Sequence, residues 1–470
     1  MIWTIDHIIF FGFLALNIVF GLISSRGITT IHQYALGGRN FSTSAIVSTL
    51  VATWIGGGFF VENIIENYTH GLYYFFTSLA QVLCFLIIGY FFIPRMSEFL
   101  GKLTIAEVMG ELYGNKVRLI AAICGFIGVS GIIAIQFKVA SFVLECLLDI
   151  SKIQSILLVG IVVIIYSTLG GIKSVTFTDM IQFFTFGTIL PLVTYYLFFG
   201  LSKDIDLIIS TIASNPNFNL SLIFDSSNIK SWTYLFLFFY CLIPAFDISV
   251  FQRISMSKSV YQAQRSFYIS AFFIFFLTLI MTWIAILLIA DNSTVHPNNV
   301  IKVLLFDNIP SGLKGLLLVG ILAMIMSTAD SYLNSASIIF TYDFFKSLNM
   351  KVNNELLTAR LITIIIGIVA MILSFKDSSI FRLALFTAGF YMPIVTVPFI
   401  MAILGYRTPY EKAVLGGMGA GLSVVLLWNY YDITVIDNIV PAILVNLVTL
   451  VFLHYYYHSQ HLKSQNKRKL

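Results

Sequence analysis

Runs of roughly 20 apolar residues, each long enough to cross a hydrocarbon core of about 30 Å, recur along the chain with short polar gaps between them. Centred near residues 15, 52, 82, 131, 161, 190, 241, 280, 326, 366, 392, 421 and 447, they predict an all-α membrane protein with about 13 transmembrane helices. Several of these spans are interrupted. The second reads Ala52-Thr53-Trp54-Ile55-Gly56-Gly57-Gly58. Each glycine in a helix interior costs about 1 kcal/mol relative to alanine, so this helix is expected to break at mid-membrane. Pro244 followed by Asp247 interrupts the seventh span, and Gly389, Pro393 and Pro398 interrupt the eleventh.

Backbone freed at membrane depth is tolerated where it lines a cavity or is buried in protein. Broken helices in corresponding positions of two halves therefore point to a transport site. With the first span set aside, spans two to six pair with spans seven to eleven as two inverted sets, each opening on a broken helix. The expected organisation is one transmembrane domain over 1–470, with an inverted-repeat core at 43–403, additional C-terminal helices at 404–457 and a basic cytoplasmic tail at 458–470.

Composition identifies the main solvent of the chain as lipid: 58% of residues are hydrophobic and 10% charged, and the mean hydropathy is +0.92. That leaves no room for an extramembrane domain. The formal net charge of +5 follows the membrane and does not call for nucleic acid. With an odd number of spans and the N-terminus outside, one face holds Arg39, Arg95, Lys102, Arg118, Lys173, Arg253, Lys346 and the tail residues Lys463, Lys467, Arg468 and Lys469. That face then carries roughly 19 of the 27 basic residues, as the positive-inside rule requires. Cys84, Cys124, Cys146 and Cys241 lie in or beside apolar segments without metal spacing and read as small buried hydrophobes. The first segment has Asp6 and no basic n-region before it, so it reads as a retained helix and not a signal peptide.

Candidate chemistry concentrates in the ninth span, Gly320 to Ser337, where Ser327, Thr328, Asp330, Ser331 and Ser335 interrupt an apolar helix. Hydroxyls in a membrane helix commonly bond back to their own turn. A carboxylate near the bilayer centre, however, costs a few kcal/mol or more unless employed. Hard oxygens suit a desolvated alkali cation, and the unwound carbonyls near Ala52 and Ile55 would complete its shell. Asp179, in the polar stretch between the fifth and sixth spans, reads either as a guide for a departing cation or as a helix cap. Trp54 lies inside the break beside Phe59 and Phe60, and Gln81 is a polar group in the third span. Glu62 and Glu66 read as an outer cation-attracting pair or as solvated loop residues. Lys138 is expected to snorkel, to pair with Glu145 or to meet a solute carboxylate.

Four collinear motifs carry a resemblance to the sodium:solute symporter family over nearly the whole length. They are Leu36-Gly37-Gly38-Arg39; Gly170-Gly171 through Thr178-Asp179 and Gln182; Asp247 with Gln252-Arg253; and Ala323 through Ser337. The resemblance implies a leucine-transporter-like core of five plus five inverted helices in the cell (inner) membrane, with co-transported Na+. Carried over by position, the principal sodium site takes the carbonyls of Ala52, Ile55 and Met324 and the hydroxyls of Ser327 and Thr328. A second sodium site falls at Asp179, Asp330 and Ser331, and solute contacts fall at Trp54, Gly56, Gly57, Gln81 and Asp247. Within the family the second and ninth spans look most like the choline branch, while Gln81, Ile132 and Asp247 replace the aromatics of its cage, which leaves proline or another small metabolite open.

The implied activity is sodium-coupled symport of a small polar organic solute into the cell, with a proton in place of sodium as the nearest rival. A membrane enzyme is disfavoured because the seven histidines sit at span ends or in loops. A solute-sensing receptor would be expected to add a signalling domain after residue 457.

Overall fold

The computed structural model describes residues 4–201, 205–244, 246–306, 308–376, 380–431 and 438–469, and among these its regular secondary structure is entirely helical. The first helix, α1 (Ile5–Ser24), precedes a bent pair, α2 (Thr43–Trp54) and α3 (Gly57–His70). Then come α4 (Leu72–Ile87), the short α5 (Ile105–Tyr113), α6 (Asn115–Leu148), α7 (Lys152–Leu169) and α8 (Ile172–Leu201). A second interrupted pair, α9 (Ile229–Leu242) and α10 (Ile248–Ser255), leads into α11 (Val260–Asp291), α12 (Leu313–Ile338), α13 (Glu355–Ser374) and α14 (Ile380–Gly389). The last two are α15 (Glu411–Tyr430) and α16 (Ile439–Lys469).

Ten helical segments among the described residues are long and apolar enough to cross a membrane, or eleven with α2 and α3 taken as one bent span, while α7 and α9 are shorter. Every expected span centre falls on a helical segment. The breaks also fall where the glycines and prolines stand. The chain turns by 56° between α2 and α3, and Asp247 starts α10 afresh by accepting from the Val250 N–H at 2.8 Å. After Gly389 the eleventh expected span continues as a wide π-helical turn over Met392–Thr396.

The central helix is α12. Of its apolar window 94% is buried, against 22% for α1 and for α16, so α12 faces protein on all sides and the other two face lipid. It packs on α1, α2, α6, α8 and α13. Small residues set the close approaches: a Cβ at Gly131 would lie 1.7 Å from Thr387 Cγ2, and one at Gly125 would lie 2.7 Å from Ile248 Cδ1, which brings α14 and α10 against α6. Asp6 clasps the start of α12, accepting from the N–H groups of Gly312 and Gly315 at 2.7 Å each and from the Ser311 hydroxyl at 2.8 Å. A carboxylate there satisfies donors that a helix start leaves open and complements its positive end.

Two arginines assigned to loops by their charge are buried instead. Arg253 is 1% exposed and Arg118 4%. Arg118 donates through Nε to Asp343 Oδ1 at 2.7 Å, with Nη2 2.6 Å from the same oxygen, and Thr104 donates to Asp343 Oδ2. This joins α5 and α6 to the end of the central helix. Arg118→Ala is expected to lower the melting midpoint in detergent sharply, with a cost of about 3–5 kcal/mol for stranding a buried carboxylate. The double change Arg118→Met with Asp343→Leu should recover much of it. An unchanged midpoint in the single variant would remove the pair from the account of stability. Lys138, expected to snorkel, to pair with Glu145 or to meet a solute carboxylate, donates through Nζ to the Lys376 carbonyl at 2.7 Å.

Candidate functional site

Where α2 unwinds, its last carbonyls lose their helical partners and turn toward α12. Ser327 donates to the Ala52 carbonyl at 2.7 Å and to Met324 O at 3.0 Å. Thr328 reaches Thr53 O at 3.1 Å, Met324 O at 3.0 Å and Ala52 O at 3.5 Å. Two hydroxyls and three carbonyls thus converge on one point, with Ser327 at 0% and Thr328 at 3% exposure. Hydroxyl protons now hold the carbonyls together. Turned outward, the same hydroxyls offer lone pairs, and the set becomes a shell of neutral hard oxygens. Ile55 follows directly, with φ −84° and ψ 72° placing its carbonyl outside the helical ladder.

One helical turn along α12 lies a charged cluster. Asp179, expected as a loop residue or a cap, stands well inside α8 and is fully buried. Its Oδ2 accepts from Thr49 and, at 3.3 Å, from Ser331, and the Arg253 guanidinium lies 3.8 Å away. Arg253 also donates to Ser249 Oγ at 2.7 Å, to Thr53 Oγ1 at 3.2 Å and to Ser331. That distribution of its five donors explains how a guanidinium is tolerated at this depth. Asp330 is satisfied less well: Tyr166 reaches its Oδ2 at 3.4 Å, and its buried Oδ1 has no hydrogen-bond partner among the described residues.

Beside both clusters is a cavity of about 260 Å³, framed by the broken helices α2/α3 and α9/α10 together with α4, α6, α12 and α14. Thr53, Trp54, Gly56, Gln81, Asp247 and Thr328 all line it. The Trp54 indole N–H donates to Gln81 Oε1 at 3.1 Å and its ring meets Phe85 edge-on with centroids 4.8 Å apart. Tyr332 donates to Asp247 Oδ2 at 2.8 Å. A Cβ at Gly56 would stand 2.6 Å from Thr328 Oγ1, so the glycine is needed there for room.

The model of the sodium:solute symporter family matches residues 34–420. The chain belongs to that family. The symporter is similar to the sodium/sialic acid symporter NanT of Aliivibrio fischeri, at 22% identity over 96% of this chain and 94% of that one. It is also similar to the sodium/glucose cotransporter of Vibrio parahaemolyticus, at 24% over 95% and 90%. The high-affinity choline transporter 1 of Drosophila melanogaster matches at 24% over 93% and 76%. Among solved structures, a Na+-coupled sialic acid symporter in a substrate-bound outward-open state superposes with a TM-score of 0.81 at 20% identity, over 97% of this chain and 98% of that one. A nucleobase-cation-symport-1 family transporter superposes at 0.60 and 10% identity, over 92% and 95%. These likenesses give the all-α, leucine-transporter-like fold, and the family gives sodium-coupled solute symport.

In this symporter the expected ligands fall into the two clusters described. Ala52, Met324, Ser327 and Thr328 meet directly, with Ile55 adjacent in chain. Asp179 and Ser331 are hydrogen-bonded to each other, and Asp330 adjoins them through the next residue of α12. Of the expected solute contacts, Trp54, Gly56, Gln81 and Asp247 line the cavity, while Gly57 packs away from it, where a Cβ would meet Ile325 Cγ1 at 2.4 Å. Glu62, read as a vestibule or loop residue, stands on α3 in the cavity wall and accepts from the Tyr74 hydroxyl at 2.7 Å. The reading from sequence passed over Thr49, Thr53, Gln136, Tyr332 and the burial of Arg253. Gln136 carries the same signal that singled out Gln81, an amide within an apolar run.

Proposed function

We propose that this symporter carries a small polar organic solute into the cell with sodium, binding the principal ion through Ala52, Ile55, Met324, Ser327 and Thr328. Asp179, Asp330 and Ser331 form a second sodium site, and Trp54, Gly56, Gln81 and Asp247 contact the solute. The core is 43–403, two inverted sets of five helices. The N-terminus lies outside and the basic tail in the cytoplasm of a cell (inner) membrane protein.

The observation that supports this most strongly is the position of Thr328. Its hydroxyl belongs to the oxygen ring at the end of α2, and the residue also lines the cavity. An ion in the ring pulls α2 and α12 together and so shapes the wall on which solute rests. Each ligand then raises the affinity for the other, by thermodynamic reciprocity. Solute uptake into proteoliposomes is expected to require an inward sodium gradient. Equal uptake driven by a proton gradient in sodium-free buffer would overturn the sodium assignment in favour of proton carriage by Asp330, whose unpartnered oxygen is the feature that favours that rival.

A further inference from the structure

We infer that the transported solute carries a positively charged nitrogen, received in the cavity by the carboxylates of Glu62 and Asp247 and by its aromatic walls. This rests on reading the cavity as the solute site. Glu62 and Asp247 are the charged residues of its lining, and no Lys, Arg or His lines it among the described residues. Each carboxylate is steadied by a tyrosine hydroxyl, Tyr74 on Glu62 Oε1 at 2.7 Å and Tyr332 on Asp247 Oδ2 at 2.8 Å. Asp247 is further engaged as the cap of α10. Glu62 has no second hydrogen-bond partner among the described residues, although a carboxylate offers about four acceptor positions.

The nearby guanidinium attracts Asp247 without bonding to it and leaves Glu62 alone. Arg253 spends its donors on Thr49, Thr53, Ser249, Ser331 and Gln252, with Asp179 as its closest carboxylate. Farther along α3, Glu66 adds a like charge one turn from Glu62, with His70 Nε2 3.6 Å from it. Two carboxylates in an aromatic-walled hollow at membrane depth are costly without a cation. A cationic solute offsets that cost, and Trp54, Tyr240 and Tyr391 line the same walls, aromatic rings being attractive to cations.

The cavity also specifies an oxygen on the solute. Gln136, 4% exposed and on the wall, receives the Gly58 N–H at its Oε1 at 3.4 Å. Its amide NH2 has no acceptor among the described residues and is left to donate to a hydroxyl, carbonyl or carboxylate of the ligand. An anionic sugar acid would find no cation here. A neutral sugar would leave the charge of Glu62 and Asp247 unbalanced, and the Trp54 indole and the Gln81 oxygen are already bonded to each other.

Sodium-dependent currents from full-length protein in proteoliposomes on a solid-supported membrane test this without a label. The probes are pairs that differ in the charged nitrogen: choline against 3,3-dimethylbutan-1-ol, proline against cyclopentanecarboxylate, and putrescine against butane-1,4-diol. Glucose and N-acetylneuraminate complete the set. The expected result is current from the nitrogen member of at least one pair and little from its counterpart, with Glu62→Gln raising its half-maximal concentration about tenfold or more and Glu62→Asp by less. Equal currents within every responding pair, or currents from glucose or N-acetylneuraminate alone, would overturn the inference without reference to any variant. Silence from all nitrogen members, while radiolabelled sodium still binds wild type and binds Ser327→Ala more weakly, also overturns it and leaves sodium symport standing. Absence of sodium binding in the wild type would fell both.

Discussion

Ser327→Ala is expected to raise the sodium concentration for half-maximal uptake by about ten- to hundredfold, with solute affinity at saturating sodium much less affected. The change removes one of two hydroxyls from a shell whose other members are backbone carbonyls held by the unwinding of α2. In a buried site no water of bulk mobility stands ready to replace the missing oxygen, and a contact to a charged group is worth about 1.5–3 kcal/mol, or roughly one to two decades in affinity. The same change releases the Ala52 carbonyl from its 2.7 Å hydrogen bond, so a loss of folding stability near 1 kcal/mol is expected alongside. Flux measured against sodium concentration, with binding of radiolabelled sodium measured separately, distinguishes these effects. An unchanged sodium dependence in well-folded protein would mean that the ion sits elsewhere.

Asp330→Asn is expected to abolish coupling to a second ion. With the proposed second site linked to the first, uptake by the wild type is expected to be sigmoidal in sodium, with a Hill coefficient approaching about two, the number of sites. The variant should give a hyperbolic dependence with a coefficient near one. Asp330 has an orphan Oδ1 among the described residues and one long 3.4 Å contact, to Tyr166. A carboxylate at this depth is costly to keep, and its partners in the protein are too few to explain its presence as structural. Asp179 also keeps an unpartnered Oδ1 among the described residues, but its Oδ2 is engaged by Thr49, Ser331 and Arg253 together. Asp179→Asn should therefore lose stability as well as sodium cooperativity, whereas Asp330→Asn should cost little stability. A wild-type dependence that is already hyperbolic and unaltered by Asp330→Asn would remove the second site.

The spans were legible because lipid offers backbone no hydrogen bonds and so forces long apolar helices. The break near Gly56 was legible for the same reason, as three glycines in a row mark a place where helix is weak. Its steric cause, the 2.6 Å approach of a Cβ to Thr328 Oγ1, joins residues far apart in sequence and could not be read locally. Distance along the chain hid other features too. Arg118 and Asp343 are 225 residues apart, Lys138 and Lys376 are 238 apart, and Arg253 meets Thr49 across 204. Read alone, each arginine resembled a basic loop residue. Asp179 looked like a cap because Lys173, Ser174, Thr176 and Thr178 precede it, yet α8 begins at Ile172 and has carried the chain two turns inward by then. Gln136 and Glu62 were visible as polar groups on or near apolar helices, and only the arrangement of α3, α6 and α14 shows that they share one wall.

The clasp of Asp6 on the start of the central helix governs how the protein can be handled. A fusion partner or tag that crowds the first residues would strain the three hydrogen bonds that anchor α12, and through α12 the oxygen ring that Ser327 and Thr328 form midway along it. The far end of α16, exposed from Ser459 to Gln465, offers no comparable anchor to disturb. Purification handles and fluorescent reporters belong there, and an N-terminal fusion that transports poorly would be reporting on its own attachment point.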